Sequence, residues 1–205
     1  MDFNEPVSHS DFEVRPTLIA HSHRVSRAVS VTLALYAIVG GVLTLLGWTF
    51  EIRRLTDWTG EGISMFPNTA VCVVLSGIAL LLLSGEPLRW RLVVARIVAA
   101  IIACVGVVTL IEHFFQINLG FDTLLFDHEW GQRASSSLMR MGPPASSSFL
   151  VLGAGLFLAT CGPAARRIAC MLALGVVAIV SLSLIGYWYG ADQLYLLPHI
   201  TGIAW

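Results

Sequence analysis

Met65-Phe66-Pro67-Asn68-Thr69-Ala70 opens an uncharged apolar run from Val71 to Leu83. The same layout returns as Met141-Gly142-Pro143-Pro144-Ala145-Ser146, ahead of the run Ser147 to Ala159. Aligning the two methionines pairs Pro67 with Pro143, Gly77 with Gly153 and Leu80 with Leu156. An internal repeat shows how a chain is assembled. Proline suits the first turn of a helix, because the amide it lacks would be unpaired there in any case. Asn68 and Thr69, and serines 146–148 in the second copy, stand where they can cap the amides beside it. Each copy reads as the start of an apolar helix, and the chain as a series of similar hairpins.

Composition says where such helices belong. Of 205 residues, 56% are hydrophobic and only 12% charged, against about 25% charged in soluble domains. Several apolar runs are long enough to cross a hydrocarbon core about 30 Å thick. The expected fold is an all-α polytopic membrane protein of about five transmembrane helices in repeated proline-led hairpins. The spans fall at about 28–50, 67–85, 92–111, 146–161 and 168–189, with Pro198-His199-Ile200-Thr201 starting a sixth. Residues 1–27 are polar and read as a mobile cytoplasmic tail ahead of the membrane region 28–205. A signal peptide is not indicated, since the first apolar run starts late and is too long.

The same counts exclude several classes of function. A net charge of −1 without a basic stripe argues against a nucleic-acid partner. Cys72, Cys104, Cys161 and Cys170 lie in or beside apolar runs and read as small hydrophobes, not as a disulfide framework or metal site. The middle thirds of the spans hold no Asp, Glu, Lys, Arg or His, which argues against ion-coupled transport. Arg96 stands near enough to a span end to snorkel. Ala95, Ala99 and Ala103 make a small-residue face at spacing four, the kind of surface through which membrane helices meet. The bilayer and a second copy of the chain, forming a homodimer through helix packing, are the expected partners.

Polar chemistry collects in the segment 112–145, which holds Glu112-His113, Asp122, Asp127-His128-Glu129 and Trp130. Its length predicts a helix lying at the membrane surface. Glu112, His113, Asp122 and His128 are candidate ligand- or signal-sensing residues, and a solvated acidic loop with interfacial histidines is the plainer reading. The Asn68-Thr69 corner is a further candidate, since helix starts turn amides toward one point, although a structural cap suffices to explain it. Gly120-Phe121-Asp122-Thr123-Leu124 recurs as Gly190-Ala191-Asp192-Gln193-Leu194, which adds Asp192. No phosphate loop, nucleophile elbow or HExxH pattern is present. No catalytic residue and no cofactor are expected. Placing the N-terminus in the cytoplasm leaves eight arginines inside and four outside, in keeping with the positive-inside bias.

These residues carry a resemblance. Met-x-Pro-Asn-Thr-Ala before a Leu/Gly-rich span is followed by Thr109-Leu110-Ile111-Glu112, then by the run Leu119 to Phe126. A second Met-x-Pro comes next, then Ile185 to Gly190 and Leu194-Tyr195. The order is similar to the N-terminal multi-pass region of bacterial sensor proteins, over roughly residues 30–205. The resemblance implies a membrane sensory input module in a bacterial inner (plasma) membrane. It also implies a cytoplasmic output domain of the histidine kinase or diguanylate cyclase type, two-component signalling among its settings, beyond the 205 residues. The second copy departs from the pattern, with Pro144-Ala145 where Asn-Thr would stand. Two other readings compete: a small membrane redox or metal-binding protein using His113 and His128, and a structural membrane subunit without a ligand.

Overall fold

The computed structural model describes residues 9–58, 60, 62–86, 88–131 and 138–188, and side chains within 24–185 of these. Asp192 and the proline-led start expected at Pro198 lie outside the described residues. Among the described residues six helices follow one another: α1 His9–Thr49, α2 Arg53–Thr56, α3 Pro67–Ser84, α4 Arg89–Phe115, α5 Pro143–Ala159 and α6 Pro163–Trp188. Four stretches are long and apolar enough to cross a bilayer: Arg24–Thr49, Pro67–Ser84, Arg89–Phe115 and Pro163–Ile185. Helix α5, at 17 residues, reaches about 25 Å and is the shorter fifth apolar helix. The protein is an all-α membrane protein.

The distribution of side chains explains why this bundle needs lipid. Ala34, Ala70, Ala79, Ala95 and Ala99 are fully buried, while Leu33, Tyr36, Ile97, Met171 and Leu174 are exposed. Small residues inside and large apolar residues outside is the arrangement favoured where the surroundings are as apolar as the interior. Helices pack in chain order, α1 on α3, α3 on α4, α4 on α5 and α5 on α6. Helix α1 continues for 41 residues, about 60 Å, well beyond the bilayer. The polar tail expected to be mobile is helical from His9.

Close approaches between helices reveal that the repeat is wider than the two proline-led starts. A methyl group placed on Gly77 would lie 2.7 Å from the Ala34 carbonyl oxygen, and one on Gly153 would lie 2.8 Å from that of Ala99. In the same way, Gly41 meets the Ala70 carbonyl at 2.8 Å and Gly106 meets the Ser146 carbonyl at 2.7 Å. The α1–α3 and α4–α5 hairpins therefore share one packing, in which residues 34–57 match 99–122 and residues 64–80 match 140–156. Thr44 donates to the Gly40 carbonyl at 3.1 Å and its counterpart Thr109 to the Val105 carbonyl at 3.1 Å. The left-handed residues Glu51 (φ 56°) and Gln116 (φ 52°) also match. Both hairpins run in the same direction, the parallel kind of repeat.

Some local expectations are corrected. Helix α3 starts from an extended Phe66 and α5 from an extended Gly142, neither with a side-chain cap. Asn68 turns away toward the Phe121 carbonyl. The serines of α5 donate backward to carbonyls, Ser146 to Gly142 and Ser148 to Pro144. Arg96 does not snorkel freely; its guanidinium closes the end of α5, with Nε to the Thr160 hydroxyl at 3.0 Å and Nη2 to the Thr160 carbonyl at 3.2 Å. Between 116 and 142 the described residues contain no helix, and α4 takes up the first residues of what was expected to be loop.

If these close approaches hold the hairpins, Gly153→Ala should destabilise the protein by about 1–3 kcal/mol. At Gly155 a methyl meets nothing nearer than Leu172 Cβ at 3.6 Å, so Gly155→Ala should stay within about 0.5 kcal/mol. Detergent-titrated unfolding of the two variants checks the difference, and equal effects would contradict this packing.

Candidate functional site

Four helix ends meet at the Trp48 end of the bundle: the C-termini of α1 and α4 and the N-termini of α3 and α5. Each proline-led helix leaves the carbonyl of the preceding methionine to be satisfied, and a backbone oxygen without a partner at this depth is costly. In the first hairpin Trp48 Nε1 donates to the Met65 carbonyl at 2.8 Å. In the second, His113 Nε2 takes the matching place, 2.9 Å from the Met141 carbonyl. A carbonyl only accepts, so His113 carries its proton on Nε2 in this bond. Its role is that of an indole N–H.

The two hairpins differ where charge enters. Gly47, Asp57 and Ser64 of the first match Glu112, Asp122 and Arg140 of the second. In the first, the Asp57 carboxylate accepts the amides of Gly60 and Gly62, each at 2.7 Å. Ser64 lies 3.3 Å from the Thr56 hydroxyl. In the second, Arg140 Nε donates to Asp122 Oδ2 at 2.7 Å, and Arg140 Nη2 stands 3.7 Å from Glu112 Oε1. Nη2 also donates to the Ile117 carbonyl at 3.1 Å, and the Leu119 amide donates to Glu112 Oε1 at 2.9 Å.

This cluster is removed from solvent. Glu112 is 0% exposed, Asp122 2% and Arg140 5%. Charges are buried at several kcal/mol each unless paired, and one guanidinium faces two carboxylates here. With both ionised, the cluster carries one net negative charge. Glu112 Oε2 and Asp122 Oδ1 are buried without a hydrogen-bond partner. The arrangement ties the end of α4 to the segment that leads into α5, and it is open to neutralisation by a cation or proton.

An aromatic wall covers the neighbouring hairpin. Phe126, His128 and Trp130 come from one non-helical stretch after α4. Their rings gather on Trp48, with His128 at 5.8 Å and Trp130 at 4.2 Å between centroids. The Arg53 guanidinium lies 5.6 Å above Trp130. Beside it a cavity of about 440 Å³ is lined by Arg53, Arg54, Asp57, Ser64 and Trp130.

The structure thus brings Asn68, Glu112, His113, Asp122 and His128 to one end of the bundle. Thr69 is half-buried in the first turn of α3. Asn68 Nδ2 reaches the Phe121 carbonyl at 3.4 Å, one residue before Asp122. His113 and His128 do not converge as metal ligands, and among the described residues no group of three His, Cys, Asp or Glu could hold a metal ion. Arg140 and Trp48 are the residues sequence reasoning missed. Their signal was the matching of Trp48 with His113 and of Ser64 with Arg140. Comparison with protein-family models, with curated proteins and with solved structures finds no match.

Arg140→Met should destabilise the protein by about 3–5 kcal/mol, because it leaves two buried carboxylates unpaired. Adding Glu112→Gln and Asp122→Asn should recover more than half of that loss. Unfolding of the single and triple variants checks it, and a triple variant no better than the single would contradict the pairing. Trp48→Phe and His113→Phe should each lose about 1 kcal/mol, since each removes the same bond.

Proposed function

We propose that the chain is a membrane-embedded sensory input module of a bacterial signalling protein, which relays a stimulus by shifting helix packing and performs no chemistry in the lipid. The observation that carries this reading is the buried Glu112–Arg140–Asp122 cluster at the junction of α4 and α5. One guanidinium shared by two buried carboxyl groups is a two-state element: adding or removing charge changes how firmly the segment after α4 is held. Release of Arg140 would free Met141 and Gly142, and with them the start of α5. The resemblance of the proline-led motifs to sensor regions supports the same reading.

The arginine bias puts the Trp48 end outside a plasma membrane and the start of α1 in the cytoplasm. The part of α1 ahead of Arg24 then projects inward as a continuous lever. A cytoplasmic signalling domain and a second copy of the chain are the partners this mechanism calls for, with the bilayer as its medium.

Spin labels at Ala28 on α1 and Ala164 on α6, in a background without the four native cysteines, read the transmission. Asp122→Asn at the opposite end should move the label-to-label distance by about 2 Å or more. Identical distance distributions for wild type, Asp122→Asn and Arg140→Met would sink the proposal.

A further inference from the structure

Away from the charge cluster, at the end where α4 and α6 begin, the helices part. Among the described elements α6 packs against α5 alone. A cavity of about 550 Å³ opens between α3, α4, α5 and α6, walled by Leu82, Leu92, Leu152, Leu156 and Ala173. That volume falls within the roughly 300–1,000 Å³ of ligand sites, but the walls offer an aqueous solute almost nothing to bond. An acyl chain meets like surfaces there.

The mouth of the cavity has the opposite character. Arg166 lines it, and the Arg91 guanidinium lies directly on Gly85, another lining residue, where a methyl group would be 2.6 Å from Arg91 Cζ. Arg91 Nε is buried without a hydrogen-bond partner. Arg166 donates Nε to the Ala159 carbonyl at 3.3 Å, a bond that does not engage its terminal nitrogens. Arg89 and Arg167 are exposed beside them, and Glu86 is the only acid in the described turns there. The ion pairs of Arg140 with Asp122 and Glu112 lie at the other end. Two guanidiniums, those of Arg91 and Arg166, thus stand at the opening of an aliphatic groove.

We propose that this groove seats an acyl chain of an anionic phospholipid, with Arg91 and Arg166 holding its phosphate. Basic pockets between membrane helices are suited to such headgroups, and the aliphatic walls restrict the ligand to a lipid. The site is independent of the sensory reading.

Native mass spectrometry of the whole chain in detergent, with phosphatidylglycerol and phosphatidylcholine of identical acyl chains, tests the proposal. One phosphatidylglycerol should be retained about tenfold more tightly than phosphatidylcholine. Arg91→Gln with Arg166→Gln should cut that preference to about twofold or less. Gly155→Leu adds a side chain at the groove wall and should reduce retention of both lipids about tenfold. Equal binding of the two lipids by wild type would overturn the proposal. So would phosphatidylglycerol retention undiminished in Gly155→Leu, since that is attraction to the arginine surface without seating in the groove. Circular dichroism identifies any variant that fails to fold, and the arginine pair then decides the question without the groove variant.

Discussion

A guanidinium withdrawn from water between two carboxylates governs the second hairpin of this protein. Arg140 cannot leave Asp122 and Glu112 without stranding charge, and the alternatives near a bilayer are poor. Its bond to the Ile117 carbonyl and the Leu119 amide on Glu112 draw the turn after α4 into the same knot. The course of the chain from Phe115 to Asp122 follows from satisfying these groups. The first hairpin instead folds Asp57 onto the amides of Gly60 and Gly62.

Duplication supplies the frame, and divergence supplies the chemistry. Gly41 and Gly77 set the distance between α1 and α3 just as Gly106 and Gly153 set it between α4 and α5. Trp48 and His113 hold the two methionine carbonyls in place. Onto this shared scaffold the segment between α4 and α5 adds both a wall of rings stacked on Trp48 of the first hairpin and a buried charge cluster.

Much of the architecture was legible in the residues alone. The apolar runs and the two Met-x-Pro starts located α3 and α5, and the glycines aligned by the methionines proved to be the points of closest approach. The first half of each unit was harder to see. Ala34, Gly41, Thr44 and Asp57 agree with Ala99, Gly106, Thr109 and Asp122, but apolar exchanges fill the spaces between, and a tryptophan answers a histidine. Capping by Asn68 was the wrong inference because a tertiary partner, the Phe121 carbonyl, outcompeted the local amides. The surface helix expected between 112 and 145 does not form among the described residues of 116–142, where the rings at 126, 128 and 130 gather on Trp48 instead. Arg140 had counted only toward loop charge, since nothing local announces a partner eighteen positions back.

Hydrogen exchange at the Arg140 side chain, followed by nitrogen-15 magnetic resonance of the protein in lipid nanodiscs, addresses the central claim most directly. The account predicts an Nε–H that exchanges far more slowly than that of a solvated arginine and loses its protection in Asp122→Asn. An Arg140 Nε–H exchanging at the solvated rate in the unaltered protein would contradict it.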